Sequence, residues 1–129
     1  MIKKITDDNI DNILQDSKTF IILFYSEQLS TISNVMNVFE NFDAKFNGKI
    51  DIYKCAIDEE TGKLSQYFNM SVLPAVVMMK NNIPYVNLAG PVSASVYEEA
   101  IKDGIINIMK DKKNTNTFIS TSGYQTISK

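Results

Sequence analysis

Thr19-Phe20-Ile21-Ile22-Leu23-Phe24-Tyr25, then Ser26-Glu27-Gln28-Leu29-Ser30-Thr31, then apolar residues at Ile32, Val35, Phe39, Phe42 and Phe46: this stretch sets the architecture. The first segment is apolar without alternation and rich in β-branched and aromatic residues. It predicts a strand covered on both faces, in the middle of a sheet. In the third segment, steps of three and four put five apolar residues on one helical face. Asn47-Gly48 ends that helix, with Gly48 suited to a left-handed C-terminal position. The six residues between strand and helix are polar except for Leu29 and form a loop.

Upstream, Ile2 to Ile5 reads as a short strand, and Asp7 or Asp8 as the cap of a helix carrying Ile10, Ile13 and Leu14. Downstream, Ile50 to Ile57 is a second core strand, and Asp58 is expected to cap a helix from about Glu59 to Phe68. Ala75 to Met79 and Pro84 to Leu88 read as strands joined through Lys80-Asn81-Asn82-Ile83, because Asn tolerates the left-handed conformations of tight hairpin turns. Ser95-x-x-Glu98 is a capping-box signature opening a last helix with Val96, Tyr97, Ala100, Ile101, Ile105, Ile108 and Met109. The order is β-α-β-α-β-α-β-β-α: parallel strands with crossovers, then an antiparallel hairpin and a closing helix. The expected fold class is a three-layer α/β/α sandwich with a mixed sheet. Residues 1–110 form the domain, and 111–129 a polar C-terminal tail. The tail is read as a solvated extension. In the alternative, Thr117-Phe118-Ile119-Ser120 and Tyr124-Gln125-Thr126-Ile127 pair as a hairpin or add to a sheet edge.

Composition removes much chemistry. One Cys in 129 residues forbids an internal disulfide and any Cys-x-x-Cys pair. The absence of His removes the imidazole base, the Ser-His and Cys-His nucleophile pairs and His-ligated metals. Thirteen basic against fifteen acidic residues, with Lys110-Asp111-Lys112-Lys113 the only basic cluster, argue against nucleic acid as partner. The charged start, Met1 to Asp8, is not followed by an apolar run of signal-peptide kind, and Phe20 to Tyr25 is too short to span a bilayer. A soluble, cytoplasmic protein without a membrane partner is expected.

The pattern resembles the thioredoxin family over about residues 5–110. Phe24-Tyr25-Ser26-Glu27-Gln28-Leu29-Ser30-Thr31-Ile32 stands where that family carries Phe-Trp-Ala-x-Trp-Cys-Gly-Pro-Cys. Phe46-Asn47-Gly48-Lys49 is similar to its Tyr-x-Gly-Lys helix ending, and Ile57-Asp58 to its strand-ending Ile/Val-Asp. Tyr67-Phe68-Asn69-Met70-Ser71-Val72-Leu73-Pro74-Ala75 is similar to Tyr-x-Val/Ile-x-x-Ile-Pro-Thr. Lys80-Asn81 and Gly90 complete the register. The resemblance implies a thioredoxin fold, with Pro74 cis and Leu73 offering backbone hydrogen bonds to an extended peptide.

The redox apparatus of that family is missing. Leu29 and Ile32 stand at the two cysteine positions, Ser30-Thr31 replaces Gly-Pro, and Gln28 replaces the preceding Trp. The buried acid of the family would sit at Leu23, which leaves Lys54 without its usual companion. Thiol exchange needs a thiolate and a resolving thiol, and Leu and Ile supply neither. Cys55 lies within a strand and reads as a small core hydrophobe. Met78 and Met79 read as core filling on opposite faces, and Ile32 as core.

Two functional readings follow, beside a structural option in which the chain assembles through its tail. In the first, the chain is a redox-inactive binding module for a protein or peptide. It would use Leu29, Ser30, Thr31, Leu73, Pro74, Gly90 and Pro91, with Leu29, Leu73, Pro74 and Pro91 forming an apolar patch around Gly90. The plain alternative for Pro74 is that the fold merely needs that turn. In the second, Ser30 or Thr31 serves a non-redox enzyme or small-ligand binder, with an anion or thiol compound at the helix N-terminus. Against this, no base accompanies these hydroxyls in sequence, and either residue also suits an N-cap. No catalytic residue, metal ligand or cofactor is expected.

Overall fold

A computed structural model describes residues 2–16, 18–59, 61–68, 71–110, 117–121 and 124–128, with backbone alone at 108–110, 117–121 and 124–128. Asn69, Met70, Asp111, Lys112, Lys113, Ser122 and Gly123 lie outside the described residues, as do the side chains of Ile108, Met109, Phe118, Ile119 and Tyr124. The elements are β1 (Lys3–Lys4), α1 (Ile10–Gln15), β2 (Phe20–Tyr25), α2 (Ile32–Phe46), β3 (Asp51–Ala56), a 3-10 turn (Leu64–Gln66), β4 (Ala75–Lys80), β5 (Ile83–Ala89), α3 (Ala94–Lys110), β6 (Thr117–Thr121) and β7 (Tyr124–Ser128).

The strands form one mixed sheet in the order β1-β3-β2-β4-β5-β7-β6. β2 runs parallel to β3 and antiparallel to β4, and all six of its residues are buried. Its even apolarity thus has the cause read from the sequence, which is cover on both faces. Ile21, Leu23 and Tyr25 face α2 and α3, while Phe20, Ile22 and Phe24 face α1 and the 3-10 turn. Alternation likewise sends Met78 to the first side and Met79 to the second, both buried. On α2, Val35, Phe39 and Phe42 are buried, and Ile32 and Phe46 pack half-buried beside them. Phe39 meets Phe42 and Tyr97 edge-on, each at 5.4 Å between ring centres, the arrangement that ring quadrupoles prefer.

Several local expectations are corrected. The helix expected over 59–68 is a single 3-10 turn at Leu64–Gln66. Its cap is not Asp58 but the distant Asp7, whose Oδ1 accepts hydrogen bonds from the Lys63 and Leu64 amides at 3.1 and 2.9 Å. Asp7 therefore does not cap α1, where Asn9 stands instead, its Oδ1 accepting from the Thr6 amide at 2.8 Å. The last helix begins at Ala94, with the Ser93 carbonyl accepting from the Val96 and Tyr97 amides. This places Ser95 inside the first turn, and Glu98 pairs with Lys102 and Lys45 rather than closing a capping box. The left-handed end of α2 starts one residue early, at Asn47 (φ +50°), and continues through Gly48 (φ +81°). Residues expected as a solvated tail include β6 and β7, which pair with each other and extend the sheet beyond β5. The Asn81-Asn82 turn matches its reading: both residues have positive φ between the paired Lys80 and Ile83, as a two-residue hairpin requires.

Candidate functional site

The candidate site lies where β2, the start of α2, the approach to β4 and the end of β5 converge. At the end of β2 the Tyr25 carbonyl accepts from the Ile57 amide at 2.8 Å, joining the exits of two parallel strands. Asp58 then holds the loop. Its Oδ2 accepts from the Glu27 amide at 2.7 Å and its Oδ1 from the Ser26 hydroxyl at 3.0 Å. The Ser26 oxygen in turn accepts from the Gln28 amide at 3.2 Å. A carboxylate accepting from amide and hydroxyl donors makes the stronger, charge-assisted kind of bond. The loop is thus fixed by Asp58, which the sequence reading places instead as the cap of a helix. The Ile57-Asp58 ending of the strand was the signal. Glu27, Glu59 and Asp58 crowd this end with negative charge, and burial first, then these carboxylates, raise the Tyr25 hydroxyl above its ordinary pKa.

Thr31 occupies the N-cap position of α2, but its hydroxyl makes no capping bond, and the first turn carries no acid. Ser30 is exposed. Among the described residues neither hydroxyl is hydrogen-bonded to a base, so the geometry supplies no activated nucleophile here. Among the same residues no group of three Cys, Asp or Glu could hold a metal ion, and no helix is long and apolar enough to cross a membrane.

Across from the loop, the Leu73–Pro74 peptide is cis. The Pro74 carbonyl accepts from the Gly90 amide at 2.8 Å, which ties the entry of β4 to the exit of β5. Gly90 has φ +92°, a conformation that costs any side-chain-bearing residue. A Cβ there would meet only Val72 Cγ1, at 3.9 Å, so conformation rather than space calls for glycine.

Among the predicted residues the structure brings together two pairs. Pro74 and Gly90 share the hydrogen bond above. Thr31 and Pro91 line opposite walls of a cleft of about 430 Å³, with Asn34, Val35 and Val38 on the α2 side and Val92, Ser93 and Tyr97 on the other. Leu29 and Leu73 are both half-buried and face apart: Leu29 packs on the α2–α3 side of the sheet, Leu73 on the α1 side. Pro91 is exposed, and so is Val72, 53% accessible, which the sequence reading leaves out of the site.

A model of the thioredoxin family matches residues 1–103 of this sequence. The chain belongs to the thioredoxin family. A comparison with curated proteins finds no match. The single cysteine of the chain lies in β3, and the Ser26–Thr31 loop contains none. Cys55 is 4% exposed and packs on the α1 side with Phe24 and Leu64. Burial, then the Glu59 and Asp7 carboxylates, push its thiol up to about 11. A thiol so held stays protonated near neutrality and is a poor nucleophile. Leu23 is fully buried, and Lys54, its neighbour in the β2–β3 register, has no ion-pair partner among the described residues.

Proposed function

We propose that this thioredoxin-family chain is a redox-inactive binding module for an extended protein segment. The segment would lie across the Val72-Leu73-Pro74 turn and Gly90, with a side chain in the cleft between α2 and the β5–α3 connection. The observation that carries this reading is the placement of exposed Val72 against Gly90, beside a cleft walled by Val35, Val38, Pro91 and Val92. Apolar surface of that kind, rimmed by Thr31, Asn34 and Ser93, is what a peptide-docking groove uses. The loop lacks any thiol, so binding rather than exchange is the chemistry left to it.

The test is a peptide-display selection on the purified chain, followed by titration of the selected peptides. Binding should weaken at least tenfold in Val72→Asp, and again when Pro91→Asp is added. Both positions are exposed, so the variants should fold as the parent does. Unchanged affinity in the double variant would sink the groove. An insulin-reduction assay is expected to show no turnover, and measurable turnover would sink the redox-inactive reading.

A further inference from the structure

The sheet ends differently at its two edges. At one lies β1, two residues long, both of them exposed lysines. Short length and lysine are devices that keep an edge from pairing with another chain. At the other lies β6, Thr117-Phe118-Ile119-Ser120-Thr121, five residues with no charge, proline or glycine. Thr, Phe and Ile favour strands, so this strand has the affinity for a further one and carries none of those protecting features in its own sequence. We propose that β6 pairs with β6 of a second copy of this chain, antiparallel across a two-fold axis, joining the two sheets edge to edge.

The backbone register supports a second copy as the occupant. In the β6–β7 ladder Thr121 stands opposite Tyr124, Ile119 opposite Thr126 and Thr117 opposite Ser128. Only two residues separate Thr121 from Tyr124, and a hairpin of that length closes on a pair that exchanges both hydrogen bonds. Bonding alternates along the ladder, so Thr117, Ile119 and Thr121 direct their amide and carbonyl groups toward β7. Those of Phe118 and Ser120 are left for the outer edge. In an antiparallel pairing centred on Ile119, Phe118 of one copy stands opposite Ser120 of the other. These are the residues whose outward groups meet no further strand among the described residues. Thr117 then stands opposite Thr121, a cross-strand pair that sheets favour. The strand is complementary to itself in bonding phase and in residue type, and being neutral it meets its copy without repulsion. Such a contact is isologous, the type from which most homodimers are built.

Sedimentation velocity on the full chain should give twice the 14.6 kDa chain mass at high protein concentration, falling to one chain on dilution. A single-chain mass throughout would overturn the proposal. Thr117→Lys/Thr121→Lys sets like charges opposite each other across the axis and should give the single-chain mass. Thr117→Lys/Thr121→Glu sets opposite charges there and should restore the doubled mass. Since both variants change the same two positions of the hairpin, equal masses would overturn the pairing. Ser120→Pro removes one outward amide and no β7 bond, and a doubled mass in that variant would also overturn it. Hydrogen exchange supplies a direct readout: the Phe118 and Ser120 amides should slow at least tenfold between dilute and concentrated protein. Concentration-independent exchange there would reject the pairing even if the chain dimerised by another face.

Discussion

The two faces of the sheet are covered by unequal amounts of helix. On one side lie α2, with 15 residues, and α3, with 17. On the other lie α1, with six residues, and a 3-10 turn of three. The long helices carry enough apolar repeats to bury Phe39, Phe42, Tyr97, Ala100 and Ile101 as a continuous layer. Among the described residues the cover of the thin side has two fully buried anchors, Ile10 and Leu64, beside a hollow of about 310 Å³ over Val77, Met79 and Pro84, flanked by Leu14 and Tyr67. Tyr67 is 52% exposed as a result. Helices of three or more turns hold themselves by periodic packing, whereas short turns need outside help. Here the help is a carboxylate, Asp7, reaching across 56 residues of sequence to the Lys63 amide.

The contrast can be broken or sharpened by substitution. Phe39→Ala removes a fully buried ring from the thick side and should cost about 3–5 kcal/mol in urea unfolding. A cost below about 1 kcal/mol would show that the thick layer is not the main support. Cys55 probes the thin side. With its thiol held near 11, alkylation at pH 8 should run about 100-fold slower than in an unfolded control, and faster labelling would show that the thin cover opens. The same shift sets a pH dependence. The folded thiol has the higher pKa, so its contribution is complete below the ordinary 9.0 and declines as pH rises toward about 11. Thermal midpoints measured across that window should fall more for the parent than for Cys55→Ala.

Gly104 tests how closely the thick layer fits. A Cβ there would lie 2.6 Å from both Met78 Sδ and Val86 Cγ2. Gly104→Ala should therefore destabilise by about 1 kcal/mol, because overpacking outweighs the gain in helix propensity. Asp7→Ala should cost about 1 kcal/mol and speed hydrogen exchange at the Lys63 and Leu64 amides, with α2 amides unchanged. Tyr67→Ser, at the rim of the hollow, should change stability by less than about 0.5 kcal/mol.

What could be read from the sequence follows the same division. The α2 stripe, the doubly covered β2 and the Asn81-Asn82 hairpin were legible because each is decided by residues close together in the chain. The 59–68 segment misled, since Leu64 and Phe68 keep helical spacing while Gly62 weakens helix formation and Asp58 is engaged by the Ser26–Glu27 loop. The Asp7 and Asp58 contacts join residues more than 30 positions apart, where local pattern carries no information. At the candidate site, Pro74 and Gly90 were legible as punctuation. The separation of Leu29 from Leu73 was not, because which face of a sheet a loop residue falls on depends on the strands around it. The β6–β7 hairpin was one of two readings of a polar tail, and only the register with β5 decides between them.

Gly104 has a mechanical meaning as well as a packing one. With no side chain at that point, α3 presents a notch into which Met78 and Val86 project from the sheet. A helix seated in this way is keyed against sliding along its axis, since any shift drives a neighbouring side chain of the helix into the two projecting groups. The β5–α3 connection is the leading end of that helix and forms one wall of the cleft beside Thr31. The position of that wall is therefore tied to a contact further along the same helix, and the wall behaves as a fixed jaw for the segment proposed above.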